Sequence, residues 1–162
     1  MHNRVILVVA LVCVTAPLFA EIGPTTDVAV TARGATRIVV AQVTDVQSRF
    51  DTNRFGDQLI VSTLFAEVSE TLKGTPAATV QVLVEGGTVG DLTLRVSDLP
   101  AVKPGDRAVF FLNPDQSGTQ VPHMRGRGIL RVTETDRIEG TASTTLSDVR
   151  QQVMAALADG GR

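Results

Sequence analysis

Ile38-Val39-Val40-Ala41-Gln42-Val43-Thr44-Asp45-Val46 is rich in β-branched residues and short of helix formers, and its reading decides the fold. Branching at Cβ costs rotamer freedom in a helix but packs well on a pleated surface, so the run predicts a strand. The polar stretch Asp51-Thr52-Asn53-Arg54-Phe55-Gly56-Asp57 then breaks it. A second long run extends from Gln58 to Leu72, with Ile60, Leu64, Ala66 and Val68 on one side and Thr63, Glu67 and Ser69 on the other. Two alternating runs of similar length joined by a short polar connection predict one long hairpin.

Outward from that hairpin the strand signals continue. Val80, Val82 and Val84 alternate with Thr79, Gln81 and Leu83 and stop at Gly86-Gly87, and Leu92-Thr93-Leu94-Arg95-Val96 repeats the pattern more briefly. Pro104-Gly105 favours a tight turn with Gly105 at positive φ. Ala108-Val109-Phe110-Phe111-Leu112 is apolar at every position and predicts a central strand buried on both faces. Asn113 to Gly118 forms another turn, and Gly128 to Val132 a further strand. Only the ends read as helical. Thr145 with Asp148 has the spacing of a reciprocal N-terminal cap, and Leu146, Val149, Val153 and Leu157 then share one face. Asp27 to Arg33 is a short first helix by the same reading. Five to six strands followed by a helix predict a mainly β protein, a small, partly closed OB-like barrel that hides its strand edges. Whether the carboxy-terminal helix packs on that barrel or on a partner stays open at this level.

The amino terminus reads as an export signal. Arg4 precedes an apolar run from Val5 to Val14, and small residues lead to Ala20 before Glu21. The run is shorter than the roughly twenty apolar residues a membrane span needs, and Pro17 interrupts its extension. The expected organisation is a signal peptide over 1–20, an amino-terminal segment with a short helix over 21–36, the OB-like barrel over 37–140 and the helix over 145–158. The mature protein is then expected in the periplasm or secreted.

Cleavage after Ala20 removes Cys13, the only cysteine, and one of two histidines. Stability in an oxidising compartment must then come from a hydrophobic core rather than from disulfides. The leader takes one of fifteen basic residues and none of seventeen acidic ones, leaving a net charge near −3. With no Trp, no Tyr and no basic run, nucleic acid is a poor partner for this chain. No cofactor is expected, nor any membrane contact after cleavage. The expected partner is an extracytoplasmic protein.

The ordered series of strands, with Phe65-Ala66-Glu67-Val68-Ser69-Glu70-Thr71-Leu72-Lys73-Gly74 ending the hairpin and Pro104-Gly105-Asp106 leading into the apolar strand, resembles a known arrangement. It is similar to the OB-type barrel of the tissue inhibitors of metalloproteinases and netrin-like modules, and to exported bacterial proteins that share it. The likeness spans about Arg37 to Val132, and Leu72-Lys73-Gly74 is its most specific piece. It implies the barrel. It does not imply the inhibitory device of that family, an amino-terminal cysteine that chelates the protease zinc, because no cysteine remains after cleavage and Glu21 becomes the terminus.

Catalytic constellations are thin. His123 is the one histidine of the mature chain, and no Gly-x-Ser-x-Gly elbow accompanies it. Zinc sites draw on several His or Cys ligands. Asp115-Gln116-Ser117-Gly118 has oxygens suited to calcium but reads as an ordinary turn. Glu67 with Glu70 and Asp91 with Asp98 are carboxylate pairs by type, and a solvated face is the simpler reading. Two binding candidates stand out. Arg49, Phe50, Arg54 and Phe55 place two aromatics and two guanidiniums at a hairpin tip, where recognition residues concentrate, although the Phe rings can instead fold back over the barrel. Arg125-Gly126-Arg127-Gly128 has the composition of a backbone nest for an anion. The expected function is a non-enzymatic binding or scaffold domain. A loop-based secreted protease inhibitor is the alternative within binding, and a carboxylate-dependent hydrolase using Glu67, Asp91 and Asp98 is the alternative from another class.

Overall fold

The structure, a computed structural model, describes residues 27–53 and 55–159. The expected signal peptide and Arg54 lie outside them. The hairpin forms as expected. Strand β1, Arg37–Thr52, and strand β2, Gln58–Lys73, run antiparallel in register from Ile38 opposite Lys73 to Thr52 opposite Gln58. Register shifts beside Val39, Ala41 and Asp45 mark bulges, which bend and twist the strand. Strand β3, Thr79–Glu85, continues the sheet along β2.

After β3 the chain turns back through Gly86 and makes a small separate ribbon from β4, Gly87–Val89, and β5, Leu92–Leu94. The Gly86-Gly87 bend therefore opens a strand of its own. Gly87 has φ of 134°, and a Cβ there would sit 2.2 Å from the Ser62 hydroxyl and 2.4 Å from that of Ser48. The ribbon crosses the hairpin so closely that only glycine fits. The turn before the next strand has Gly105 at φ of 93°, as its sequence requires.

Strand β6, Arg107–Pro114, is the central strand. One edge pairs with residues 37–42 of β1, and the other pairs with β7, Gln120–Pro122, and with β8, Ile129–Val132. β7 also lies parallel to β3, Val82 facing Gln120. Its three residues close the ring β1-β2-β3-β7-β6 and back to β1, giving the OB-like barrel with β8 as a sixth strand. No sequence signal marked β7, because three residues show no alternation.

The doubly apolar run of β6 is explained by two cores, one on each face. Ala108, Phe110 and Leu112 point into the barrel with Val39, Ala41, Val43, Leu64, Ala66, Val80 and Val82. Val109 and Phe111 point outward with Ile38 and Val40, against two helices. Helix α1, Val28–Gly34, is capped by Asp27, whose Oδ1 accepts from the Val30 amide at 3.0 Å. Helix α2, Leu146–Asp159, begins at the expected cap: the Thr145 hydroxyl accepts from the Asp148 amide, and the Asp148 carboxylate accepts from the Thr145 amide at 2.8 Å. Leu146, Val149 and Val153 are buried with Ala32, Phe111 and Val132. α2 thus packs on the barrel, which decides the placement left open above. The Glu70 carboxylate accepts from Arg150 Nε at 2.8 Å and adds a polar clasp between α2 and β2.

The Leu72-Lys73-Gly74 piece serves the same layer. The Lys73 ammonium donates to the carbonyls of Ala32 and Arg33, 2.9 and 3.2 Å away, at the end of α1. Those carbonyls have no partner within the helix, and a cation there satisfies them. Leu72 packs into the outer core, and Gly74 passes close to the Thr36 carbonyl.

Candidate functional site

In an antiparallel barrel, inward positions are apolar and outward positions are polar. β2 and β3 break this rule on the face away from the helices. Leu64, Ala66, Val80 and Val82 face inward, so Leu59, Val61 and Leu83 face outward, where Leu59 and Leu83 are half-buried and Val61 is buried. The register sets Val61 opposite Glu85 and Thr63 opposite Leu83. Val121 of β7 lies opposite the outward Asn113 and extends the same face.

Together these side chains floor a groove of about 380 Å³, within the size range of ligand sites. Asp51, Thr52 and Asn53 of the hairpin tip form one wall, and Leu99, Pro122 and Arg125 form the other. Of the two candidate sites from the sequence, only Arg125 lines the groove; Arg49, Phe50 and Phe55 do not, although their neighbours Asp51, Thr52 and Asn53 do.

At the tip, Phe50 and Phe55 are 48 and 75 % exposed, and Phe50, opposite Ile60, lies on the face of the hairpin away from Leu59 and Val61. Arg49 is tied down, donating to Asp51 Oδ2 at 3.2 Å and to the Thr63 hydroxyl at 3.3 Å. Asn53 braces the turn by accepting from the amides of Phe55 and Asp57. On the opposite wall the Arg125 guanidinium reaches Asp98 through Nε at 2.7 Å and Glu85 at 3.0 Å. These partners raise the Arg125 pKa, and its bond holds the Asp98 carboxyl below its ordinary value. Most of its charge is therefore spent on the protein.

The glycines beside it serve close packing. A Cβ on Gly126 would collide with the Asp98 carbonyl, and one on Gly128 with the His123 carbonyl. Residues Arg125–Gly128 form a single 3-10 turn, entered through Met124 and Arg125 at φ of 56° and 57°. Left-handed backbone at non-glycine residues is strained and persists where surroundings enforce it; here the carboxylates of Asp98 and Glu85 hold the turn.

His123 follows β7 and ties α1 to the barrel. Its Nδ1 faces the Asn113 amide nitrogen at 2.9 Å, and that amide also donates to the Gly34 carbonyl while its Oδ1 accepts from the Thr36 amide. An amide nitrogen only donates, so Nδ1 accepts. Asp115 Oδ1 accepts from Ser117 and from the Thr119 amide, which lowers its pKa and occupies the oxygen in a turn. Among the carboxylates considered for hydrolysis, Glu67 lies on β2, Asp91 at the β4–β5 turn and Asp98 on Arg125, with no shared hydrogen bond among the described residues. No cluster of three metal-ligating side chains is present among the described residues.

The groove floor escaped the sequence reading. Its signal was present in Leu83, which occupies a polar-phase position beside Thr79 and Gln81, and in Leu59 and Val61. No family model and no curated protein sequence matches the chain.

Proposed function

We propose that this protein is an exported, non-enzymatic binding module that takes an extracytoplasmic protein partner in the groove over β2, β3 and β7. The observation that carries the reading is the row of apolar side chains on the outer face, the half-buried Leu59, Leu83 and Val121 over the buried Val61, walled by Asp51, Thr52, Asn53 and Arg125. Apolar residues on the outer side of a strand, framed by polar walls, have the composition of a recognition surface. The position adds support by analogy, since OB barrels take ligands on the face of their second and third strands and the adjoining loop. The carboxylates Asp51 and Glu85 on the walls oppose a nucleic-acid backbone, in line with the chain's acidic balance.

Capture from periplasm or culture fluid with the mature protein tests this. A Leu83→Arg variant, changed at a half-buried outward position, supplies the control. A protein retained by the parent and at least tenfold depleted with the variant is the expected result. Equal retention by both would move the interface elsewhere, and a capture with no retained protein would remove the reading.

A further inference from the structure

The distal half of β1 has a free edge, and its chemistry points to a surface kept from pairing. β1 is paired with β6 only over residues 37–42. Beyond the bulge at Thr44, no strand among the described residues lies along the other side of residues 45–52. Backbone directions follow from the register. Ile60 of β2 turns its carbonyl to the Gly86 amide, away from β1. The neighbouring odd-numbered residues of β2 therefore face β1. Their partners are Asp45, Gln47, Arg49 and Asp51. The amides of Val46, Ser48, Phe50 and Thr52 consequently point out along the free edge.

Two of those four are covered by side chains. Asp45 Oδ1 accepts from the Val46 amide at 2.8 Å, and Asp51 Oδ1 accepts from the Thr52 amide at 2.8 Å. Each carboxylate is pinned by its second oxygen: Asp45 Oδ2 accepts from Gln47 Nε2 at 2.8 Å, and Asp51 Oδ2 from Arg49 at 3.2 Å. The arrangement is nearly mirror-symmetric about Ser48. Ser48 and Phe50 remain the open amides.

A free edge is a template for the same edge of another molecule. Antiparallel pairing of two copies around the open amides sets Ser48 opposite Phe50 of the second copy and Arg49 opposite Arg49. It also places Val46 opposite Thr52, where a carboxylate already occupies each amide. Like charges directly opposed disfavour a strand pair. We infer that Asp45, Arg49 and Asp51 are edge guards, and that without them this edge joins two copies of the chain into an antiparallel dimer.

Two measurements on the mature protein test the inference. In the parent, amide hydrogen exchange should be at least tenfold slower at Val46 and Thr52 than at Ser48 and Phe50. Equal rates at the four amides would overturn the capping. Sedimentation equilibrium of D45T/R49T/D51T should show dimer at protein concentrations where the parent is monomeric, and adding Phe50→Pro, which deletes an open edge amide, should restore the monomer. A parent that already dimerises through this edge, a triple variant that stays monomeric, or a dimer indifferent to Phe50→Pro would each sink the idea. Asp51 and Thr52 border both this edge and the groove, and the two proposals are read by different variants, the edge by Phe50→Pro and the groove by Leu83→Arg.

Discussion

The root and the tip of the β1–β2 hairpin share two strands and differ in everything around them. At the root, Ile38 to Val43 and Ala66 to Lys73 run between the barrel core and the helical layer, and Ile38, Val39 and Ala41 are wholly buried. At the tip the strands leave β6 behind, one edge goes unpaired, and aromatic side chains turn to solvent. The root obtains its order from packing on both faces. The tip obtains it from short side-chain braces, Asn53 in the turn and Asp45 and Asp51 along the edge. Stability is concentrated at the root, and on the proposed reading a partner is left to the tip and the groove beside it, because a surface already covered by its own core has nothing left to offer.

The sharpest way to break this contrast is to remove one aromatic from each side. Phe111→Ala empties a fully buried position between β6 and the helices and should cost about 3–5 kcal/mol in denaturant unfolding. Phe50→Ala at the tip should change stability by no more than about 0.5 kcal/mol. Comparable losses at the two sites would mean that the tip is part of the folding core.

Lys73→Met sharpens the root further. It keeps the aliphatic stem and deletes the ammonium that satisfies the last carbonyls of α1, so a loss of about 1 kcal/mol is expected. Hydrogen exchange should quicken in α1 while the groove face is unaffected. Faster exchange spread evenly over the barrel would show that α1 and the barrel open as one unit.

Acid makes the smallest distinction. Asp98, held by Arg125 of the groove wall, and Asp148 at the start of α2, held by Thr145, both have pKa values below the ordinary 3.8. A carboxyl depressed in the folded state favours folding fully above its unfolded value, and that contribution disappears as pH falls through the lower folded value. Unfolding midpoints should therefore hold steady down to about pH 5 and decline below 3.8, modestly and less so in high salt, since both groups are exposed. Asp148→Asn and Asp98→Asn should each flatten the decline; a slope untouched by either would place the acid-sensitive groups elsewhere.

Much of this fold was legible in residue order. The hairpin, the doubly buried β6, the turn at Gly105 and the Thr145 cap all rest on local preferences that short stretches express by themselves. β7 was not legible, because its role depends on pairing parallel to a strand far away in sequence. The same holds for the ribbon of β4 and β5, whose glycines serve a crossing over Ser48 and Ser62 that no local pattern announces. The site divides in the same way. Phe50 and Phe55 drew notice as aromatics in a polar turn, and the structure leaves them exposed. The Arg125 stretch drew notice as a glycine-rich basic segment, and the structure commits its guanidinium to Asp98 and Glu85.

By itself, then, the amino-acid order determined which segments become strands and helices and how each divides its faces, since alternation, branching and capping act over a few residues. Only the tertiary structure decided that three residues at Gln120–Pro122 close the barrel, that α2 covers it, and that Leu59, Val61, Leu83 and Val121 meet in one groove. Those outcomes depend on which strands lie side by side, and adjacency is set by the whole core rather than by any segment within it.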